Sequence, residues 1–311
     1  MNCTILDGEE CGYDPARGAH LISSATHRLS TLLAVALLFI VLLAPSAKAD
    51  TISSALGVAG PSNYAILFLS TSGQPQMNGP GTTTGNVGYN GSTSLQLNGS
   101  NGPEINGNLI LGNNATVNNS AQVTGTIFTN QSAQLNAAQA AAISAGAFFN
   151  GLAPTSVLTS VNGTLTIIGT AGLNVIDLTG INLGNGQTLT LNGPAGAQFV
   201  INVSGNIVLN SGLIQETGGL LATDVVFNVG GKVQTSGGLN NESVINGIVL
   251  DLTGQIAMAP GAINGELIAG GNNPQIVSGG SVHGVTTVPE PSSLLLLSMG
   301  VAGLLLLRRR A

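Results

Sequence analysis

The sequence predicts an all-β protein, a parallel β-helix (solenoid) with one flanking α-helix. A signal peptide precedes it and a single hydrophobic C-terminal helix follows it. Three observations carry this. Only 6% of the 311 residues are charged and only 3% are aromatic, while Gly fills 45 positions, against roughly 25% charged in an ordinary soluble domain. The apolar residues of the middle alternate with Thr, Asn, Gln, Ser and Gly, the period of strands. A glycine-marked repeat runs near both ends of that middle. Gly247, Gly265 and Gly284 are separated by 18 and 19 residues, and Gly85, Gly107 and Gly125 by 22 and 18.

Taken in order, residues 1–49 read as a signal peptide with a long n-region. Thr31 to Ala44 is a short apolar core behind His27 and Arg28. Ala47-Lys48-Ala49 is a small-x-small site for a signal peptidase, with cleavage before Asp50. An N-terminal membrane helix is the alternative, but about 14 apolar residues are short for a span. Cys3 and Cys11 both fall inside the removed part, so the mature chain holds no disulfide and its stability rests on burial and hydrogen bonding.

Residues 50–287 form the solenoid. An entry strand, Asn63 to Thr71, leads into a Gly/Pro/Thr-rich turn region and then the repeat. A unit of short alternating strands cannot bury a face alone. Coils stacked on one another can, with inward aliphatics forming one continuous core. Gly and Asn mark the turns because both tolerate positive φ, and Asn amides can bond from coil to coil. The segments 164–170, 173–180, 188–212 and 224–231 fit the same scheme. Alternation alone does not fix strand direction, so an antiparallel sandwich is the competing architecture. One stretch breaks the pattern: the alanine-rich 132–152 places Leu135, Ala138, Ala142 and Phe149 at helical spacing and ends at Asn150-Gly151 and Pro154. This helix is expected along the flank of the solenoid, over an apolar strip.

Residues 288–311 close the chain. Val288-Pro289-Glu290-Pro291 is stiff and non-helical. Leu294 to Leu307 would reach about 21 Å, short of the ~30 Å hydrocarbon core. Arg308, Arg309 and Arg310 would hold that end on the cytoplasmic side, so the segment stalls in the inner membrane transiently. The order Pro-Glu-Pro, apolar span, arginine cluster resembles the PEP-CTERM sorting signal of Gram-negative bacteria. The resemblance implies an exosortase partner that cuts near the motif and passes the protein to the cell surface, outer membrane or extracellular matrix. A plain tail anchor is the alternative. The body is similar to the choice-of-anchor A domain, an adhesive domain on varied surface anchors. The similarity is carried by Leu173 to Gly205, Asp224 to Gly231 and Gly261 to Gly271 over roughly residues 58–285. It implies an extracellular surface protein and brings no catalytic residues.

The chemistry available is thin. Residues 50–287 hold eight carboxylates, Lys232 and His283. A single lysine cannot displace the counterions of a nucleic acid, which excludes that partner. Asp177, Glu216, Asp224 and Asp251 are the acids that a polysaccharide-active β-helix enzyme would need, but no two sit at a spacing that places both on one face. His283 is alone and read as a turn residue, so neither a metal set nor a catalytic triad is expected. No cofactor is expected. Thr164 and Thr166, then Thr188 and Thr190, are Thr-x-Thr pairs whose side chains share one face of a strand. Such pairs on flat coils form a possible ice-ordering or ligand face, although threonine is also an ordinary strand former. The expected function is therefore structural or adhesive and non-catalytic. Asn, Gln, Thr and Ser ladders would meet extracellular polysaccharide or like surface proteins; ice binding and polysaccharide cleavage are the alternatives.

Overall fold

The computed structural model describes residues 51–99, 104–238 and 241–285. All strand pairs between named strands are parallel, so the solenoid, not the sandwich, is the architecture. The chain visits three faces in strict rotation. The helix-side face stacks, in axial order, Ser156–Val157, Gly172–Leu178, Ala197–Val203, Val225–Val229, Val244–Asp251, Ala262–Ala269, Ile66–Phe68, Val87–Tyr89, Leu109–Leu111 and Ile127–Phe128. An eight-stranded amide face runs from Ile181–Leu183 to Thr116–Val117. The third, threonine face starts at Leu165–Ile168, Thr188–Asn192 and Leu213–Thr217 and ends at Ser281–His283, Thr83–Thr84 and Ile105–Asn106.

Axial order is not sequence order. The first strand, Ile66–Phe68, pairs with Ala262–Ala269 on one side and Val87–Tyr89 on the other. The chain thus starts in the middle of the stack, coils to one end, crosses to the other, and coils back until its last strands meet its first. The crossing is made by the helix Ser132–Asn150. From Leu135 to Phe149 it advances about 21 Å at 1.5 Å per residue, roughly four steps of ~4.8 Å between coils. Its buried side, Leu135, Ala138, Ala142, Ala145, Gly146 and Phe149, lies on one outward ladder of the sheet, whose register reads Asn228, Leu250, Ile268, Leu67, Gly88, Ile110. Gly88 is required there: a Cβ would lie 2.9 Å from the Leu135 side chain and 2.8 Å from Tyr64. A second, short helix, Thr51–Leu56, buries Ile52 and Leu56 in the same layer; its one and a half turns were too brief to stand out as a period in the sequence.

The two glycine repeats, one from each end of the domain's sequence, interlock into a single corner column. Gly247 faces Gly265, the register carries on through Gly284 to Gly85, and Gly107 and Gly125 follow. At this corner coils touch backbone to backbone. A Cβ on Gly265 would sit 2.1 Å from the Gly247 carbonyl oxygen, and one on Gly107 2.2 Å from that of Gly85. Gly85, Gly247 and Gly265 also have φ of +119°, +135° and +152°, which admits only glycine readily.

Candidate functional site: an amide face, a threonine patch and a cleft

The amide face is built by alternation. Its inward side chains, such as Leu183, Leu209, Met258, Ile276, Met77 and Leu97, fill the solenoid core. The outward neighbours then form columns. One reads Asn182, Val208, Gln234, Ala257, Gln275, Gln76, Gln96 in register. Beside it runs an asparagine ladder: Asn118 Nδ2 donates to Asn98 Oδ1 at 3.0 Å, and Asn98 Nδ2 to Asn78 Oδ1 at 2.9 Å. Two shorter ladders lie elsewhere, Asn264 to Asn246 at 2.8 Å and Asn228 to Asn202 at 3.0 Å. No outward position of the first column is ionisable, though the neighbouring Lys232 ammonium donates to Gln234 Oε1 at 2.8 Å, so this face offers mainly neutral hydrogen-bonding groups.

On the threonine face, Thr166 lies opposite Thr190, and the Thr188 N–H donates to Thr164 Oγ1 at 3.2 Å. The four threonines therefore form a two-by-two patch at one end of the stack. The next coil puts Leu213 opposite Thr188 and Gln215 opposite Thr190, and Gln215 Nε2 donates to Thr190 Oγ1 at 3.1 Å. His283, expected in a turn, instead ends the strand Ser281–His283, between Asn264 and Thr84.

The carboxylates do not gather. Asp251 and Glu266 are fully buried and Glu104 nearly so. Asp251 accepts the N–H groups of Gly254 at 2.5 Å and Thr253 at 3.2 Å, yet burial still raises its pKa to about 6. Burial raises Glu104 to about 7; the Gly79 and Asn98 amides are near enough to moderate the rise, while neither carboxyl oxygen has a well-formed hydrogen bond. Glu266 stands opposite Ile248 on the helix-side sheet with both oxygens unpartnered, and burial pushes it well above the usual carboxylate range. Glu216 is raised by burial and, to a lesser degree, by Asp224 nearby. In each of these groups burial favours the protonated form. Among the described residues, no three His, Cys, Asp or Glu side chains come together to hold a metal.

A cleft of about 560 Å³ lies where the long helix ends over the strands. Asp177, Asn202 and Asn228 occupy matching positions on three successive coils of its floor. In the sequence Asp177 stands only as a scattered acid; the ladder beside it is invisible there because successive members, though on adjacent coils, are 25 and 26 residues apart in the chain. The signal-cleavage residues Ala47, Ala49 and Asp50 and the sorting residues Val288, Pro289, Glu290, Pro291, Arg308, Arg309 and Arg310 lie outside the described residues.

The family model described as "Putative Ice-binding-like adhesive domain" matches residues 51–284, and a PEP-CTERM protein-sorting motif matches residues 287–310. A search of curated proteins gives no match. Among solved structures, the DUF3494 domain of Shewanella frigidimarina ice-binding protein 1 superposes with a TM-score of 0.52 at 17% identity, over 74% of this chain and 97% of that one. An ice-binding protein from the Antarctic ascomycete Antarctomyces psychrotrophicus gives 0.48 at 20% identity, over 75% and 98%. A glycosylated ice-binding protein from an Arctic yeast gives 0.49 at 21%, over 76% and 95%. At such identities the first of these speaks to the fold alone, an interleaved parallel solenoid. With three quarters of its length matched by one family model, the chain belongs to the ice-binding-like adhesive domain family and carries a PEP-CTERM sorting motif at its end.

Proposed function

We propose that the chain is an exported, non-catalytic adhesive protein of the cell surface or extracellular matrix. A signal peptidase cuts between Ala49 and Asp50, and an exosortase then acts at Val288–Pro291 while Arg308, Arg309 and Arg310 hold the tail at the inner membrane. The amide face is the observation that carries the adhesive reading: an extended surface rich in outward Gln and Asn and sparse in charge, on a rigid aliphatic core. Each hydrogen bond it offers contributes only about 1 kcal/mol net. Binding is therefore multivalent, spread over many coils and many copies of a repeating partner such as extracellular polysaccharide or a like surface protein.

Two experiments test this. In fractionated cells, mass spectrometry should find the protein outside with no residues beyond about Val288; an intact Ala311 in the inner membrane contradicts the sorting step. The exported protein should also cosediment with the producer's extracellular polysaccharide. Replacing Gln76, Gln96 and Gln275 together by Ala should reduce that at least tenfold, and an unchanged yield rules the face out.

A second reading, ice binding, is favoured by the in-register patch of Thr164, Thr166, Thr188 and Thr190. Against a long ice-ordering array stands its depth of two coils, ending at Leu213 and Gln215. Thermal hysteresis decides: activity abolished by Thr166→Lys would move function to this patch.

A further inference from the structure

The floor and one wall of the cleft at the helix terminus share one hydrogen-bond polarity. Asn202 Nδ2 donates to Asp177 Oδ1 at 3.1 Å and to the Phe149 carbonyl at 3.1 Å. Asn228 Nδ2 donates to Asn202 Oδ1 at 3.0 Å, Asn150 Oδ1 at 2.9 Å and the Gly146 carbonyl at 3.4 Å. The ladder thereby adds side-chain donors to carbonyls of the helix end, including that of Phe149, which also accepts the Leu152 N–H at 3.3 Å, and its floor amides are spent in doing so. The hydroxyls at the cleft wall behave alike: Thr179 donates to the Thr159 carbonyl, and Ser204 to the Leu178 carbonyl at 3.2 Å. On the floor and this wall, Asp177 Oδ2 and the lone pairs of the two hydroxyls remain to accept, while Asn150 and Thr253 add an amide and a hydroxyl to the lining. Among the described residues, no lysine, arginine or histidine lines the cleft.

We propose that this cleft binds a neutral or amino-bearing saccharide and rejects acidic ones. A ligand matched to an acceptor-rich floor must bring donors, which sugar hydroxyls and amines supply; a carboxylate can accept two neighbouring hydroxyls at once. A uronate or sulfate would instead face Asp177 with no counter-charge. The cleft volume is that of a small-ligand site. Its coils repeat every ~4.8 Å, close to the advance of one sugar along an extended glycan. Val157, 71% exposed at the rim, offers an apolar surface to the carbon face of a ring. This site is separate from the amide face, so either can fail without the other.

The test is calorimetric titration of the full exported chain with cellotetraose, a glucosamine tetramer and tetragalacturonate. The first two should bind, the glucosamine tetramer more tightly, and tetragalacturonate at least tenfold more weakly than either. Asp177→Asn, which keeps an acceptor for Asn202 while removing the charge, should weaken the glucosamine tetramer about tenfold. Val157→Arg, at an exposed position with no packing role, should weaken it too and narrow the gap to tetragalacturonate. Absence of binding by both neutral and amino tetramers overturns the proposal. So does tetragalacturonate binding as tightly as they do, or affinity unchanged in both variants.

Discussion

Replacing Gly265 by Ala tests the stacking logic most directly. The new methyl would lie 2.1 Å from the Gly247 carbonyl oxygen and 2.7 Å from its carbon, against an ordinary contact of 3.4–4 Å. Two coils must therefore part by more than an ångström at a corner where they are held ~4.8 Å apart. The residue must also keep a φ of +152°, at about 1–3 kcal/mol for a side chain. Overpacking adds about 1–3 kcal/mol, giving roughly 4 kcal/mol in all. For a domain of this size each kcal/mol moves Tm by roughly 2–4 °C, so the melting point should fall by about 8–16 °C in far-ultraviolet circular dichroism. Gly163→Ala is the matched control, since the nearest atom to its Cβ is a Gln187 side-chain nitrogen 4.0 Å away; it should stay within about 2 °C of the parent. A Gly265→Ala protein that melts with the parent, or a control that falls equally far, would refute backbone contact as the determinant of coil spacing.

Leu135→Ala should cost about 3 kcal/mol, because it empties the site that Gly88 leaves open under the helix; urea unfolding measures it, and a loss below 1 kcal/mol would mean the helix is not clamped there. Asn98→Ala interrupts the ladder between Asn78 and Asn118 and should lower stability by about 1–2 kcal/mol without changing the unfolding slope. Stability should fall as pH rises. Glu104 and Asp251 have folded-state pKa values near 7 and 6, above ordinary values of 4.5 and 3.8. The folded chain thus holds protons that the unfolded chain releases, and stability is lost between about pH 4 and pH 7. Tm should be higher at pH 5 than at pH 8, with the difference reduced by Glu104→Gln; a flat profile would show these carboxyls to be solvated.

Much of this was legible in the chain because solenoid physics is local. Alternation marks inward and outward positions, and Leu135, Ala138, Ala142 and Phe149 declare a helix face by spacing alone. The asparagine ladder was legible in kind but not in membership, since Asn78, Asn98 and Asn118 are ordinary turn-region residues until register stacks them. The Thr-x-Thr spacing is visible along each strand, yet only the pairing of Leu213 and Gln215 on the next coil reveals where the patch stops. The cleft was not legible at all. Its polarity comes from which amides the helix carbonyls consume, a fact set by where the helix ends and not by any motif.

By itself the sequence determined the rung, the turn and the helix, for these depend on contacts within a few residues or on a pattern repeated at a fixed period. Only the tertiary structure decided the order of the coils. The first strand pairs with one of the last because the long helix returns the chain to the far end, and a parallel strand edge accepts any coil of matching register. That closure turned two separate glycine repeats into one column and put Asp177, Asn202 and Asn228 under a single helix end.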